Sequence, residues 1–269
     1  MQAFEIFLKI FSVSVIRYFV IAGIPFLICY KLMGNWLSQS KIQKRSALRR
    51  DFMREIVHSL QTTAVFTCIS CLVLLTPLRQ VTQLYAAISD YPIWWVPVSI
   101  FISLIIHDTY FYWMHRFLHR PKVFRIVHLL HHKSTNPSPW ASYSFHFLEA
   151  WTEGAVLLVI VFLVPMHIIS LALFVLISFT INVYGHLGYE VVPKWFRSTP
   201  LFEVLNTSVY HNMHHTKFKG NYGLYFRIWD RIMKTEHPDY VKEFDRIQCN
   251  RFNHQATTAA ANKNHIYRA

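Results

Sequence analysis

Residues 147–185 are almost unbroken apolar sequence, interrupted midway by Pro165-Met166-His167. One bilayer crossing needs about twenty residues, so a run nearly twice that long is expected to fold as a hairpin of two spans. Three further apolar segments precede it, at 10–32, 59–78 and 93–114. In hydrocarbon, backbone polar groups must be satisfied within their own segment, which makes each of these a helix. The expected fold is all-α, an integral membrane helical bundle of about four to five spans. Composition agrees, with 53% apolar and 15% charged residues, where a soluble domain carries about 25% charged. Trp and Tyr, part of a 16% aromatic content, gather near segment ends, as at membrane interfaces.

Charge sets the orientation. Residues 34–58 form a basic loop with Lys41, Lys44, Arg45, Arg49, Arg50 and Arg54 against Asp51 and Glu55, which should face the cytoplasm. The 79–92 connection carries only Arg79 and Asp90 and suits the opposite side. In the first span, Arg17 is expected near one end, snorkelling to the headgroups, and Pro25 is expected to kink the helix. That stretch lacks a small-residue cleavage site, so it reads as a retained span. The net charge of +13 lies in loops and the C-terminal part, which fits anionic lipid. No zinc-finger, helix-turn-helix or RNA-binding pattern accompanies it, and no nucleic-acid partner is expected. Cys68 and Cys71 form a lone CxxC inside a span and read as packing residues, like Cys29. The chain divides into N-terminal spans with the basic loop (1–90), a catalytic region (91–245) and a flexible tail (246–269).

Six of the sixteen histidines fall between His107 and His132. His115 and His119, four apart, share a helix face and can close on one metal ion. His128, His131 and His132 repeat that logic, and His211, His214 and His215 repeat it again in HNMHH. Chance supplies roughly 0.06 HxxHH matches in a chain of this composition. The hairpin would return residue 186 to the side where residue 146 began, placing both clusters in one compartment; a single crossing would separate them. Imidazole is the commonest metal-ligating side chain, and eight such residues exceed one ion's needs, so two ions are expected. A structural zinc site would close with cysteines that are misplaced here. An all-imidazole set with several metals suits redox iron acting with O₂. Ferritin-like carboxylate sets are absent. His107 lies two i+4 steps before His115, within reach of the metal or its ligands. Asp108 is expected to orient a ligand histidine. His58, His167, His237, His254 and His265 read as ordinary polar residues.

The segments HDTYFYWMHRFLH, HLLHH, SFHFLEA, NVYGHLGYE and YHNMHHTKFKGNYGLYFRIWD together resemble the fatty acid hydroxylase/sterol desaturase superfamily. The resemblance covers about residues 90–240 and is nearest the sterol C5-desaturase and C4-methyl oxidase branch. It implies a membrane-bound non-haem di-iron oxygenase that uses O₂ and external electrons to hydroxylate or desaturate a lipid, sterol-like or fatty acyl. A cytosolic helical cap would hold the dimetal site. The implied ligands are His115, His119, His128, His131, His132, His211, His214 and His215, with His186 at a further ligand position. Asn182 stands where the fatty acyl 2-hydroxylase branch has histidine, which leaves one coordination position open. His146 also matches a family position, with Glu149 placed to orient it. No electron-transfer module is fused to the catalytic region, so the resemblance implies a cytochrome b5-like or ferredoxin-like donor, docking on the basic face. WDRIMKT (Trp229 to Thr235) resembles the family's closing segment and reads as structural. The implied location is an integral membrane site on the cytoplasmic face, of the bacterial inner membrane or the endoplasmic reticulum. Two other classes compete. A membrane zinc-dependent hydrolase would need a general base from Glu149, Glu190 or Asp108. A metal-binding or transport protein would place its ligands at mid-membrane.

Overall fold

A computed structural model describes residues 2–45 and 47–252. The long helices are α1 (Gln2–Phe26), α2 (Arg49–Leu75) and α3 (Trp95–Leu118). Short helices α4 (Pro121–Val123) and α5 (Leu129–His132) follow, joined by a π-turn at Phe124–His128. Then come the hairpin arms α6 (Phe147–Leu163) and α7 (Ile168–Gly185), and the short α8 (Pro200–Val204), α9 (Ser208–Lys217) and α10 (Ile228–Ile232). Four segments are long and apolar enough to cross a membrane: Gln2–Leu32, Arg49–Leu75, Trp95–Leu118 and Ile168–Gly185. The 17-residue α6 reaches about 26 Å at 1.5 Å per residue. The membrane bundle is all-α, as expected.

The hairpin forms around Pro165, and its tip fixes the topology. Leu84–Tyr85 (β1) pairs with Met166–His167 (β2) in a two-residue parallel ladder. Trp95 Nε1 also donates to the Pro165 carbonyl at 2.8 Å. The hairpin tip therefore lies at the same end as the 79–92 connection. At the other end the basic loop meets the histidine-rich segments. Gln43 Nε2 donates to Asn212 Oδ1 and to the Thr135 carbonyl, each at 2.8 Å, and Glu190 N donates to the Ser40 carbonyl at 2.8 Å.

Two expectations about the N-terminal spans change. The basic loop ends at Leu48, because Asp51 Oδ2 accepts the Leu48 N–H at 3.1 Å and starts α2 ten residues before the apolar run. Glu55, fully buried, is satisfied by the hydroxyls of Ser134 and Ser138. Secondly, α1 begins at Gln2, which puts Arg17 in mid-helix rather than at an end. Pro25 has the expected local effect: it lacks an N–H to donate, and α1 passes into a π-turn at Leu27–Leu32.

Beyond the membrane helices, Ile42, Phe202, Val209 and Tyr210 build a separate apolar core with Tyr240, Phe244 and Ile247. The last three come from a C-terminal helix over residues 240–252. Most of the expected tail, including His254 and His265, lies outside the described residues.

Candidate metal centre

The histidine nitrogens gather into two groups. One holds His115, His119, His128, His132 and His214; the other holds His131, His186, His211 and His215. Within each group one nitrogen per residue lies inside 4.8 Å of the others. Each HxxHH box was expected to close on one ion, and each is instead divided. The i, i+4 pairs (His115/His119, His128/His132, His211/His215) stay together, while the i+3 members, His131 and His214, cross to the other group. Helical geometry explains the split. Relative to the first histidine, i+4 is rotated about 40° one way and i+3 about 60° the other.

Elements distant in sequence complete each group. His115 closes the last turn of α3, and His119 is its C-cap residue. The π-turn and α5 supply His128, His131 and His132, α7 ends on His186, and α9 carries the second box. All except the half-buried His119 are buried.

Five rings are oriented by an acceptor at Nδ1. His115 Nδ1 donates to the Tyr222 carbonyl at 2.9 Å, and His214 Nδ1 to the Gly220 carbonyl at 2.8 Å. His186 Nδ1 donates to the Asn182 carbonyl at 2.8 Å, and His131 Nδ1 to the Ser144 carbonyl at 3.3 Å. His128 Nδ1 meets Glu149 Oε1 at 2.6 Å. Two buried carboxylates set the loop that offers the first two carbonyls. Asp230 accepts the Tyr222 and Gly223 amides at 3.0 and 2.7 Å. Asp108 Oδ1 accepts those of Leu224, Tyr225 and Phe226 at 3.1, 2.7 and 3.2 Å. The Ser144 carbonyl comes from a buried turn held by Tyr18 and Ser59, whose hydroxyls donate to the Trp140 carbonyl at 3.0 and 2.9 Å.

With Nδ1 protonated, Nε2 presents a lone pair, and these lone pairs face one another. His115 and His128 Nε2 are 3.0 Å apart, and His186 and His131 Nε2 are 3.5 Å apart. Neither nitrogen of either pair has a proton to share. His132 and His119 Nε2 approach His214 Nε2 at 3.0 and 3.2 Å, and His211 Nε2 lies 3.1 Å from both His186 and His215. Facing lone pairs in a buried site repel unless a cation lies between them. Imidazole nitrogens about 2.1 Å from a shared ion sit about 3.0 Å apart at a right angle, so the donor set fits a metal ion in each group. Burial and neighbouring imidazoles hold His128, His131, His132, His211 and His215 well below the ordinary histidine range. Burial pushes His186 and His214 down to about 4. The rings are neutral, as metal ligation requires.

The remaining candidates lie outside both groups. His107 Nδ1 meets the Tyr225 hydroxyl at 2.8 Å. Asp108 was expected to contact a ligand histidine; it holds backbone amides instead and acts on His115 only through the loop. His146 caps α6, its Nδ1 accepting the Leu148 amide at 3.2 Å, so Glu149 is free to serve His128. Asn182 Nδ2 donates to the Ser142 carbonyl at 2.8 Å, and its contribution to the centre is the backbone carbonyl that orients His186. Glu149–His128 was the contact the sequence concealed. Glu149 is three residues from His146 but 21 from His128, and only the folded π-turn brings the latter pair together.

Residues 100–235 match the family described as fatty acid hydroxylase. Lathosterol oxidase of Mus musculus is 30% identical over 246 residues, spanning 86% of this chain and 80% of the mouse protein. The chain belongs to the fatty acid hydroxylase family. The family segment begins within α3 and closes just after α10, so it encloses every histidine of both groups. Lathosterol oxidase of Rattus norvegicus is 31% identical over 216 residues, 78% of this chain and 70% of the rat protein. A Delta(7)-sterol 5(6)-desaturase of Leptosphaeria maculans is 28% identical over 236 residues, 86% of this chain and 61% of the fungal protein. No solved structure matches the chain. Membership makes this family chain an oxidoreductase built on membrane-spanning helices.

Proposed function

We propose that the two histidine groups hold two iron ions and that the protein uses O₂ and external electrons to desaturate or hydroxylate a lipid, with a sterol-like substrate suggested by its relatives. The observation that carries this reading is the set of paired Nε2 lone pairs, fixed by proton-accepting partners at Nδ1. When bound and reduced, the irons would supply the O₂ chemistry that breaks an unactivated C–H bond. The chain's own residues do the rest. Glu149 and the four backbone carbonyls fix the ring planes and hold the Nδ1 protons, so the imidazoles are presented as neutral donors. Phe111 and Phe145, whose rings lie 4.9 and 5.1 Å from His115 and His131, wall the centre against water and leave an apolar approach for substrate.

The carboxylates speak against a hydrolase. Glu149 is committed to His128, Asp108 to three amides, and Glu190 to the amides of Val191, Val192 and Val209, so none of the three is placed to activate water. The histidine groups sit at helix ends rather than mid-span, which disfavours transport. The exposed Lys44, Arg45, Arg49 and Arg50 would form the cytoplasmic docking face for an acidic cytochrome b5-like or ferredoxin-like donor. The deciding experiment profiles lipids in cells with and without the protein, beside a His131→Ala, His214→Ala variant that removes one histidine from each group. A lipid that loses two hydrogens or gains oxygen only with the parent protein supports the reading. An unchanged profile, or a variant equal to its parent, refutes it.

A further inference from the structure

Arg17, placed mid-helix in α1, has an unexpected companion. A cavity of about 190 Å³ lies among the membrane helices, and Arg17 lines it together with Glu153 of α6. The walls are otherwise mostly apolar, among them Phe66, Leu157 and Phe174. Phe111 and Phe145 also line it. These are the two rings packed against His115 of one histidine group and His131 of the other, so the cavity abuts both halves of the centre.

Its two charged residues are poorly partnered among the described residues. Glu153 is only 8% exposed and, among the described residues, makes no hydrogen bond or ion pair. Among the described residues, Arg17 Nε is buried without an acceptor, and the guanidinium's one hydrogen bond is a long 3.5 Å contact to the Ser14 hydroxyl. Ionisable groups at membrane depth are costly and face the bundle interior when they serve a function. A carboxyl buried without a hydrogen bond is likewise destabilising. Both costs fall if a ligand brings the missing partner.

We propose that Glu153 and Arg17 form the polar anchor of the substrate cavity, binding the hydroxyl of a neutral lipid alcohol between them. A hydroxyl donates one hydrogen bond and accepts others, so it can donate to the Glu153 carboxylate and accept from the Arg17 guanidinium at once. A fatty acid carboxylate or an ether could accept from Arg17, but neither has a proton to donate to Glu153. The anchor also constrains position. Glu153 is one turn, about 6 Å, from Glu149, whose carboxylate holds His128. The anchored hydroxyl is therefore held about one helical turn along α6 from the residue that orients His128.

The inference rests on the oxygenase reading for its meaning but is tested by binding alone. The full chain in lipid nanodiscs is incubated with a tritiated Δ7-sterol bearing a free 3-hydroxyl, and competition by the 3-O-methyl ether and by palmitate is measured. The ether and palmitate should each compete at least tenfold more weakly than the free sterol. Glu153→Leu and Arg17→Leu should each weaken free-sterol binding at least tenfold, and Glu153→Leu should leave ether binding unchanged. Because Glu153 has no hydrogen-bond partner among the described residues, Glu153→Leu should also leave the melting temperature equal or higher. Equal competition by ether or palmitate, parental sterol binding in Glu153→Leu, or equal loss of both ligands together with a lowered melting temperature would overturn the anchor. Selective sterol binding with no oxidised product in cells would leave the anchor standing and overturn the oxygenase reading instead.

Discussion

Glu149 shows how one buried contact tunes the centre. Its carboxylate fixes the tautomer and plane of His128 through the 2.6 Å contact, and such outer partners typically change metal affinity 10–100-fold. Glu149→Gln should weaken iron retention by about that factor, read as faster loss to a chelator with the helical circular dichroism unchanged; retention equal to the parent would contradict the role. The neutral imidazoles also set an acid limit. His186 and His214 are pushed from 6.5 down to about 4 in the fold. Below pH 6.5 the unfolded chain takes up protons that these folded rings decline, so their stability contribution is complete above about 6.5 and is lost as pH falls toward 4. Melting temperatures of the metal-free protein should fall across that window and level off above it. The histidines themselves were legible from spacing and family resemblance. Their partners were not, because a carbonyl such as Tyr222's, 107 residues from His115, leaves no local signature.

At the level of elements, loops carry the precision that helices only approximate. The loop after α9 turns at Gly220, with φ +80° and the Thr235 carbonyl oxygen 2.5 Å from where a Cβ would sit. Its carbonyl is the acceptor that orients His214. Gly220→Ala should cost about 1–2 kcal/mol for the left-handed backbone alone, and the backbone contact adds to that. The substitution should lower the melting temperature and preferentially loosen the metal held by the His214 group; a variant as stable and as fully loaded as the parent would contradict this. The hairpin was readable because no single span consumes residues 147–185. The start of α2 was not, since Arg49, Arg50 and Arg54 resemble a loop until Asp51 is seen capping Leu48. The splitting of each histidine box was equally hidden, because spacing gives the angle between side chains but not which neighbour lies at that angle. Asp108 was misplaced for the same reason: the amides it holds are more than a hundred residues away.

For the molecule as a whole, topology and chemistry depend on each other. The α6–α7 hairpin returns His186 and α9 to the end where α3 and α5 finish, and without that return neither histidine group would be complete. The same helices enclose the cavity that reaches Phe111 and Phe145, so the membrane bundle and the centre form one device. On the proposed reading, sequence neighbours within each HxxHH box serve different ions. Anaerobic iron loading, counted per chain for the parent, His131→Ala and His132→Ala, tests it most directly. The parent should bind two irons. His131→Ala should lose the iron of the four-histidine group and keep the other. His132→Ala should weaken only the five-histidine group, so that the loss is seen under chelator competition as one labile and one tight iron. A parent that binds a single iron, or two variants that lose the same ion, would contradict it.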